Sequence, residues 1–113
     1  ALDTFPFTGG VTTTDALWMG VPVLAKSGKD TFISHQGESI LKNAGLSDWI
    51  ASNPEDYVDK AINFASDLSC LESFRKSARI LLANSPLFDS KRFALDFGDA
   101  LRAMWQVYID RNS

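Results

Sequence analysis

Cysteine and histidine are almost absent from this sequence. Among its 113 residues there is one cysteine, Cys70, and one histidine, His35. A single cysteine excludes an internal disulfide, and a zinc or haem site needs more ligands of these two types than the chain contains. We therefore expect no metal site and interpret Cys70 as a structural thiol rather than a reactive one. The absence of cysteine pairs is typical of a cytoplasmic protein.

Strong net charge and long apolar runs are also missing. The net charge is -3 at pH 7, and no block of like charge occurs. This balance argues against nucleic acid or an acidic membrane surface as the main partner. No apolar run approaches the roughly 20 residues that span a bilayer, so we expect no membrane segment. With 45% hydrophobic and 22% charged residues, the composition is that of a globular protein of at most one domain.

The first residues of the chain indicate a fragment. Ala1 is not an initiator methionine, and residues 2–7 have the pattern of a strand end that runs into a loop. We therefore expect the chain to be a piece of a longer protein.

The most informative stretch is 8–24, where a glycine loop leads into a short helix, a glycine and a buried strand. Such a loop presents free backbone N–H groups and the positive end of the helix dipole to one point, and phosphate often binds there. Gly9 and Gly10 would let the backbone approach a pyrophosphate closely. An ordinary turn is the alternative interpretation.

Hydroxyl and acidic side chains follow the two glycines. Thr12, Thr13 and Thr14 are expected to cap the helix, and their hydroxyls and amides can also bind phosphate oxygens. We place Asp15 in the first helical turn. There it either complements the helix dipole or accepts hydrogen bonds from the two hydroxyls of a ribose. The stretch therefore predicts a nucleotide-diphosphate site.

Along the rest of the chain, strands alternate with helices and then helices follow one another. This order predicts an α/β doubly wound domain that is only partly present. We predict strands at 21–25 and 49–51 and helices at 12–19, 32–43, 53–68, 70–83 and 90–108. Gly20 and Gly45 are expected to end the first two helices, and Asn53 to cap the third.

Helical spacing also predicts which apolar side chains are buried. On the last three helices these are Tyr57, Val58, Ala61, Ile62, Ala65, Leu68, Leu71, Phe74, Ala78, Leu81, Phe93, Phe97, Leu101, Met104, Trp105 and Tyr108. We also interpret Trp18 and Trp105 as core anchors, with packing of the last helix against another lobe as the alternative for Trp105. Lys26 and Lys29 flank the end of the buried strand and would lie at the carboxyl edge of the sheet, where ligands bind. Solvated surface lysines are the simpler interpretation of both.

Residues 15–23, Asp-Ala-Leu-Trp-Met-Gly-Val-Pro-Val, resemble the acid-A-L-x-x-G-x-P-V signature of glycosyltransferases with the two-lobed GT-B fold. More narrowly, the chain resembles the O-GlcNAc transferase and SPINDLY family. The matching positions are 2–7, the Gly/Thr loop, Gly28, Ser34, Ser39, Leu41, 55–58 (Glu-Asp-Tyr-Val), 85–88 (Ser-Pro-Leu-Phe) and Met104-Trp105. They cover nearly the whole chain.

The resemblance implies a single domain fragment over 1–113, the C-terminal portion of a Rossmann-like GT-B lobe that binds the nucleotide sugar. Residues 1–52 would form its α/β nucleotide-binding part and 53–113 a helical tail. By position, the phosphate role falls on Gly10, Val11 and Thr12, and the ribose role on Asp15. The binding set implied in this way comprises Gly9, Gly10, Val11, Thr12, Thr13 and Asp15.

The implied parent enzyme is an inverting, metal-independent glycosyltransferase without a cofactor. It would move GlcNAc from UDP-GlcNAc to Ser/Thr hydroxyls of a protein acceptor, which other regions of the enzyme would bind. The fragment alone would be inactive and either self-associate or cover its open sheet edge with helices. Two alternatives stay open: a GDP-fucose-dependent protein O-fucosyltransferase of SPINDLY type, and a non-catalytic nucleotide-binding or structural module downstream of tetratricopeptide repeats.

Two positions depart from the family pattern. O-GlcNAc transferases often have His-Thr-Thr where this chain has Gly10-Val11-Thr12, so a histidine contact to phosphate is missing and the identity of the donor stays open. His35 stands where eukaryotic members have arginine after the matching serine. We interpret His35 as structural, with a ligand contact as the alternative.

Overall fold

The computed structural model describes residues 1–112. The order of elements alternates strand and helix only in the first half of the chain, as predicted. Its α-helices and β-strands are α1 (Val11–Trp18), β1 (Ala25–Lys26), α2 (Gln36–Asn43), β2 (Ile50–Ala51), α3 (Pro54–Ser66), α4 (Leu68–Ala83) and α5 (Ser90–Asn112). Short 3-10 turns occupy Ile33–His35, Ser47–Trp49 and Pro86–Phe88.

The sheet is small and parallel. Strand β1 pairs with β2, with Ala25 opposite Ile50, and a parallel bridge joins Leu2 to Leu24. The three chain segments therefore end at one side of the sheet, the carboxyl edge, where the chain continues into Asp3, Ser27 and Ser52. This edge is where ligands bind in open α/β sheets.

Strand β1 is shorter than the predicted strand at 21–25. The Val21 amide donates to the Ala16 carbonyl at the end of α1, 2.9 Å away, and Pro22 has no amide hydrogen. Neither residue can therefore donate to the ladder. The second predicted strand, at 49–51, is confirmed for Ile50–Ala51.

The core lies between the sheet and the helices. Leu17, Leu24, Leu41 and Leu82 are at most 1% exposed. Trp49 stacks on Phe64 with ring centroids 3.9 Å apart. Leucines from α1, α2 and α4 thus converge on the strand segment before β1, and this packing fixes the position of α1 beside the sheet.

Local signals for the helix ends are confirmed. The Asn53 side chain accepts the Asp56 amide at 2.8 Å and caps α3. Gly20 and Gly45 follow α1 and α2 with φ of 77° and 74°, the left-handed conformation that favours glycine. Helix α2 begins later than predicted, because the residues before it form the 3-10 turn Ile33–His35.

Alanine at the two left-handed glycines is expected to destabilise the chain unequally. Gly45→Ala costs about 1–2 kcal/mol of backbone strain alone, since nothing lies within 4 Å of the added Cβ. At Gly20 that Cβ would also lie 3.2 Å from the Arg75 carbonyl oxygen, which adds roughly 1 kcal/mol of overpacking. Urea unfolding of both variants measures the difference, and equal losses would contradict it.

The predicted buried stripes of α3 and α4 are too wide. On α3, Val58, Ile62 and Leu68 beyond its end are 55%, 60% and 74% exposed. Only the row of Tyr57, Ala61 and Phe64 packs against the core, because α3 meets the sheet along one narrow line. On α4, Leu82 is fully buried whereas Leu81 is 38% exposed.

The interpretation of α5 as a core helix is wrong. Phe93 and Trp105 are 67% and 62% exposed, and no residue of this helix is buried among those described. The helix leaves the body next to the turn Pro86–Phe88 and gives the molecule a length of 61 Å against 31 and 18 Å in the other directions. Helical spacing marks an apolar face, but it does not say whether this chain supplies the surface that covers it.

Trp18 is not a core anchor either. It is 37% exposed, its ring lies 4.9 Å from that of Phe88, and the Arg79 guanidinium is 5.3 Å from its centroid. It therefore forms a surface contact between α1 and the turn before α5. In residues 1–112 no helix is long and apolar enough to cross a membrane.

Candidate functional site

The loop Thr8–Gly10 connects the carboxyl edge to α1, and Thr8 anchors it. Thr8 is 1% exposed. Its hydroxyl accepts the Gly37 amide at 2.9 Å and donates to the Ile33 carbonyl at 3.2 Å. These two bonds satisfy the buried hydroxyl and attach the loop to the start of α2.

Gly9 stands where a side chain does not fit. Its amide donates to Asp3 Oδ1 at 2.8 Å. A Cβ at this position would lie 2.4 Å from the Thr13 hydroxyl and 2.9 Å from that of Thr12. The two threonines therefore fill the space beside Gly9, and the loop requires glycine there.

The start of α1 carries no side-chain cap. Gly10 is the N-cap residue, and its carbonyl accepts both the amide and the hydroxyl of Thr14 at 3.1 Å. The prediction that threonines cap this helix is wrong, because the hydroxyls of Thr12 and Thr13 lie against Gly9 and that of Thr14 bonds backwards. Within residues 1–112, the amides of Val11–Thr13 therefore have no acceptor. Free amides at a helix start are suited to bind an anion.

Asp15 lies beyond the first turn of α1, which contains no acidic residue. Our placement of it there is wrong because the helix begins at Val11, so Asp15 is the fifth helical residue. It is exposed, as are Val11 and Thr12. Residues three and four apart share a helix face. Asp15 thus lies one turn along the same exposed face from the free amides.

A cavity of about 200 Å³ opens at the carboxyl edge between the loop after Leu2 and the turn after β1. Lys26 Nζ lies 5.2 Å from the centroid of the Phe5 ring and donates to the Ser27 carbonyl at 3.0 Å. Lys29 is an exposed residue of the same rim. The prediction that both lysines flank this edge is confirmed. The cavity is lined by Phe5, Pro6, Lys26, Ser27, Lys29, Asp30, Thr31 and Ser34.

Glu38 on α2 fixes the turn below this cavity. Its Oε2 accepts the Ser27 hydroxyl at 2.8 Å and the Gly28 amide at 3.0 Å, and its Oε1 accepts Lys42 Nζ at 2.6 Å. The Lys42 hydrogen bond is the main cause that lowers the pKa of Glu38 to about 2. The bonds from Ser27 and Gly28 act in the same direction, and partial burial opposes them.

Carboxylates hold the other two strand ends as well. At the end of β2, Asp56 accepts the Ser52 amide at 2.8 Å, and this bond is the main cause that lowers the pKa of Asp56. At the first segment, Asp3 accepts the Gly9 amide. Sequence reasoning missed all three acids as loop anchors. Only Asp56 carries a local signal, since an acid three residues after a helix cap often bonds back across the helix start.

His35 and Cys70 belong neither to the loop before α1 nor to its first turn. His35 Nε2 donates to the Lys29 carbonyl at 3.0 Å, and Nδ1 is 3.6 Å from Glu38 Oε2. These contacts favour the structural interpretation of His35. Cys70 is an exposed free thiol in α4, so it contributes no buried packing.

Comparison with known proteins identifies the family of this chain. The model of glycosyl transferase family 41 matches residues 1–97. A tomato protein with the name probable UDP-N-acetylglucosamine–peptide N-acetylglucosaminyltransferase SPINDLY is 40% identical over 110 residues, 97% of this chain and 12% of the relative. The barley protein of the same name is 40% identical over 113 residues, 100% of this chain and 12% of the relative.

A solved structure agrees. A mutant of Thermobaculum terrenum O-GlcNAc transferase matches this chain with a TM-score of 0.88 and 34% identity, over 100% of this chain and 22% of that one. The predicted fold class, an α/β unit with short parallel strands and a helical C-terminal half, is confirmed. The chain spans about an eighth of the curated relatives, 12% of their length. On this evidence the chain belongs to glycosyltransferase family 41.

Proposed function

We propose that this chain is the donor-binding segment of a protein O-glycosyltransferase. One observation carries the proposal: the uncapped first turn of α1 follows a glycine loop at the carboxyl edge of a parallel sheet. The names of the relatives, peptide N-acetylglucosaminyltransferase and O-GlcNAc transferase, support the same activity. The other regions of the parent protein would supply the general base and bind the protein acceptor.

In this proposal the diphosphate of the nucleotide sugar lies at the start of α1. The amides of Val11–Thr13 and the helix dipole stabilise the charge that develops on the leaving diphosphate. Because Gly9 and Gly10 have no side chains, the phosphates can approach the backbone of the loop closely. Asp15, one turn along, accepts hydrogen bonds from the ribose hydroxyls. Catalysis by these groups is positioning together with electrostatic stabilisation.

We further propose that 1–52 form the nucleotide-binding part and 53–113 the helical tail of one fragment. The glycine loop, the free amides of α1 and Asp15 lie in the first part, and the capped start of α3 at Asn53 separates the two. The fragment by itself would be inactive. Self-association also stays a prediction, which the exposed apolar face of α5 supports.

We propose UDP-GlcNAc as the donor, in agreement with the name of the tomato relative. GDP-fucose is the alternative donor, since the Gly/Thr loop is of SPINDLY type. We place the parent protein in the cytoplasm. The exposed free thiol of Cys70 supports this location, because such thiols persist in a reducing compartment.

Calorimetric titration of the parent protein with UDP and GDP tests the proposal. Asp15→Ala is expected to weaken UDP binding about 10- to 100-fold, the equivalent of roughly 1.5–3 kcal/mol for hydrogen bonds to a charged group. Asp59→Ala is the matched control, since Asp59 is also an exposed acid within a helix, and we expect no change in affinity.

Tighter binding of GDP than of UDP would favour GDP-fucose as the donor. A parent protein that binds neither nucleotide, or one whose affinity is the same with Asp15→Ala and Asp59→Ala, would contradict the proposed site.

A further inference from the structure

Asp3 occupies a fixed position at the end of the first strand segment. Its amide donates to the Leu24 carbonyl at 2.9 Å. Its carbonyl accepts the Tyr57 hydroxyl of α3 at 2.7 Å. Because both backbone groups are bonded to neighbouring elements, the direction in which its side chain leaves the sheet is set by the fold.

The Asp3 carboxylate reaches across to the Gly/Thr loop. Its Oδ1 accepts the Thr4 amide at 2.9 Å and the Gly9 amide at 2.8 Å. Its Oδ2 is buried without a hydrogen-bond partner among the described residues. A Cβ at Gly37 would lie 2.8 Å from that oxygen. A buried carboxylate oxygen without a partner is unfavourable, and its cost offsets part of what the two bonds to Oδ1 contribute to the stability of the fold.

We propose that Asp3 is a positioning residue for the donor diphosphate. By accepting the hydrogen bond of the Gly9 amide, it fixes the loop that orients the first-turn amides of α1. The proposal rests on the proposed function. Gly9 has no side chain of its own with which to anchor the loop, and within residues 1–112 Thr8 is the other side chain that attaches the loop to the body of the fold. Loss of the Oδ1 acceptor leaves Gly9 free to move and, with it, Gly10 and the start of α1.

The role needs the acceptor oxygen and not the negative charge. A carboxylate close to a bound diphosphate repels it, so the charge itself opposes binding. Asp3→Asn keeps one acceptor oxygen and removes the charge, whereas Asp3→Ala removes both. The two variants therefore separate positioning from electrostatics.

Gly37 offers a second approach that leaves Asp3 unchanged. Gly37→Ala places a methyl group 2.8 Å from Oδ2 and 3.2 Å from the Thr8 Cβ. It therefore disturbs both anchors of the loop, and the Asp3 carboxylate more closely. Helix propensity alone favours alanine at this position of α2. Gly98→Ala is the matched control, since Gly98 is also helical and nothing lies within 4 Å of the added Cβ.

Steady-state kinetics of the parent enzyme with UDP-GlcNAc and a peptide acceptor test the proposal. Asp3→Ala and Gly37→Ala are expected to raise the KM for the donor at least 10-fold and to leave the KM for the acceptor unchanged. Asp3→Asn is expected to stay within about 3-fold of the wild type, and Gly98→Ala to match it. An unchanged donor KM in Asp3→Ala would overturn the proposal, as would an Asp3→Asn variant as impaired as Asp3→Ala.

Hydrogen exchange of the parent protein separates failure of this inference from failure of the proposed function. Asp3→Ala is expected to speed exchange of the Gly9 amide at least 10-fold while the amides of α4 stay unchanged. If the wild type shows no donor binding, the proposed function fails and with it the positioning role. If the wild type binds donor but exchange at Gly9 is unaffected, only this inference fails. Should Asp3→Ala not fold, Asp3→Asn and Gly37→Ala decide by the same measurements.

Discussion

Gly9→Ala is expected to abolish nucleotide binding by the parent protein and to lower the free energy of unfolding by roughly 1–3 kcal/mol. The new Cβ would lie 2.4 Å from the Thr13 hydroxyl. Thr13 is only 3% exposed, so its short side chain cannot move aside. The loop must shift instead, and the amides at the start of α1 then lose their alignment. UDP titration and urea unfolding measure the two effects.

Gly10→Ala is the control for the stability effect of this variant. Its Cβ would meet Gln36 Nε2 at 2.6 Å, but Gln36 is exposed and its long side chain can rotate away. We expect a change in stability within about 0.5 kcal/mol. An equal loss of stability at Gly9 and Gly10 would mean that contact with the threonines does not determine the loop.

Acidification is expected to destabilise the chain through Glu38. Its folded pKa of about 2 lies below the ordinary value of 4.5, so its contribution is fully present above about pH 4.5 and is lost as the pH falls towards 2. The expected loss is roughly 2 kcal/mol, less than the full shift implies, because Lys42 is partly solvated. Urea unfolding of the wild type and Glu38→Gln at pH 7, 5, 3 and 2 measures it, and their difference should shrink towards zero.

Glu72→Gln provides a matched control. Glu72 pairs with Lys76 at 2.6 Å with the same four-residue spacing as Glu38 and Lys42, but its side chain is 67% exposed against 14% for Glu38. An exposed pair of this kind contributes at most about 0.5 kcal/mol. A pH dependence equal to that of Glu38→Gln would mean that partial burial of the Glu38–Lys42 pair and the bonds from Ser27 and Gly28 add nothing to what a Glu–Lys pair of this spacing contributes when exposed.

Local signals predicted the helix ends well. Asn53 and Pro54 mark the start of α3, and Gly20 and Gly45 follow α1 and α2, because each of these residues acts through its own backbone or nearest neighbours. The burial of α5 was not predictable in the same way. Phe93 and Trp105 have the spacing of a buried face, but burial depends on a covering surface, and spacing says nothing about that surface.

The same distinction between local signals and distant contacts applies to the candidate site. The glycine loop and the free amides of α1 follow from the order of residues 8–15. The anchoring role of Asp3 depends on the path of the chain to Gly9, and that of Glu38 depends on the packing of α2 under the turn after β1. Such contacts between distant segments leave no periodic pattern in the sequence. Asp15 was misplaced because helix starts are uncertain by a residue or two.

The carboxylates at the carboxyl edge also decide which backbone donors there remain free. The amides of Gly9, Gly28 and Ser52 already donate to Asp3, Glu38 and Asp56. The Gly28 and Ser52 amides at the ends of β1 and β2 are therefore not available to an anion, whereas the amides at the start of α1 are. On the proposed function, a nucleotide sugar would thus find backbone donors for its phosphates at the loop before α1 and not at Gly28 or Ser52.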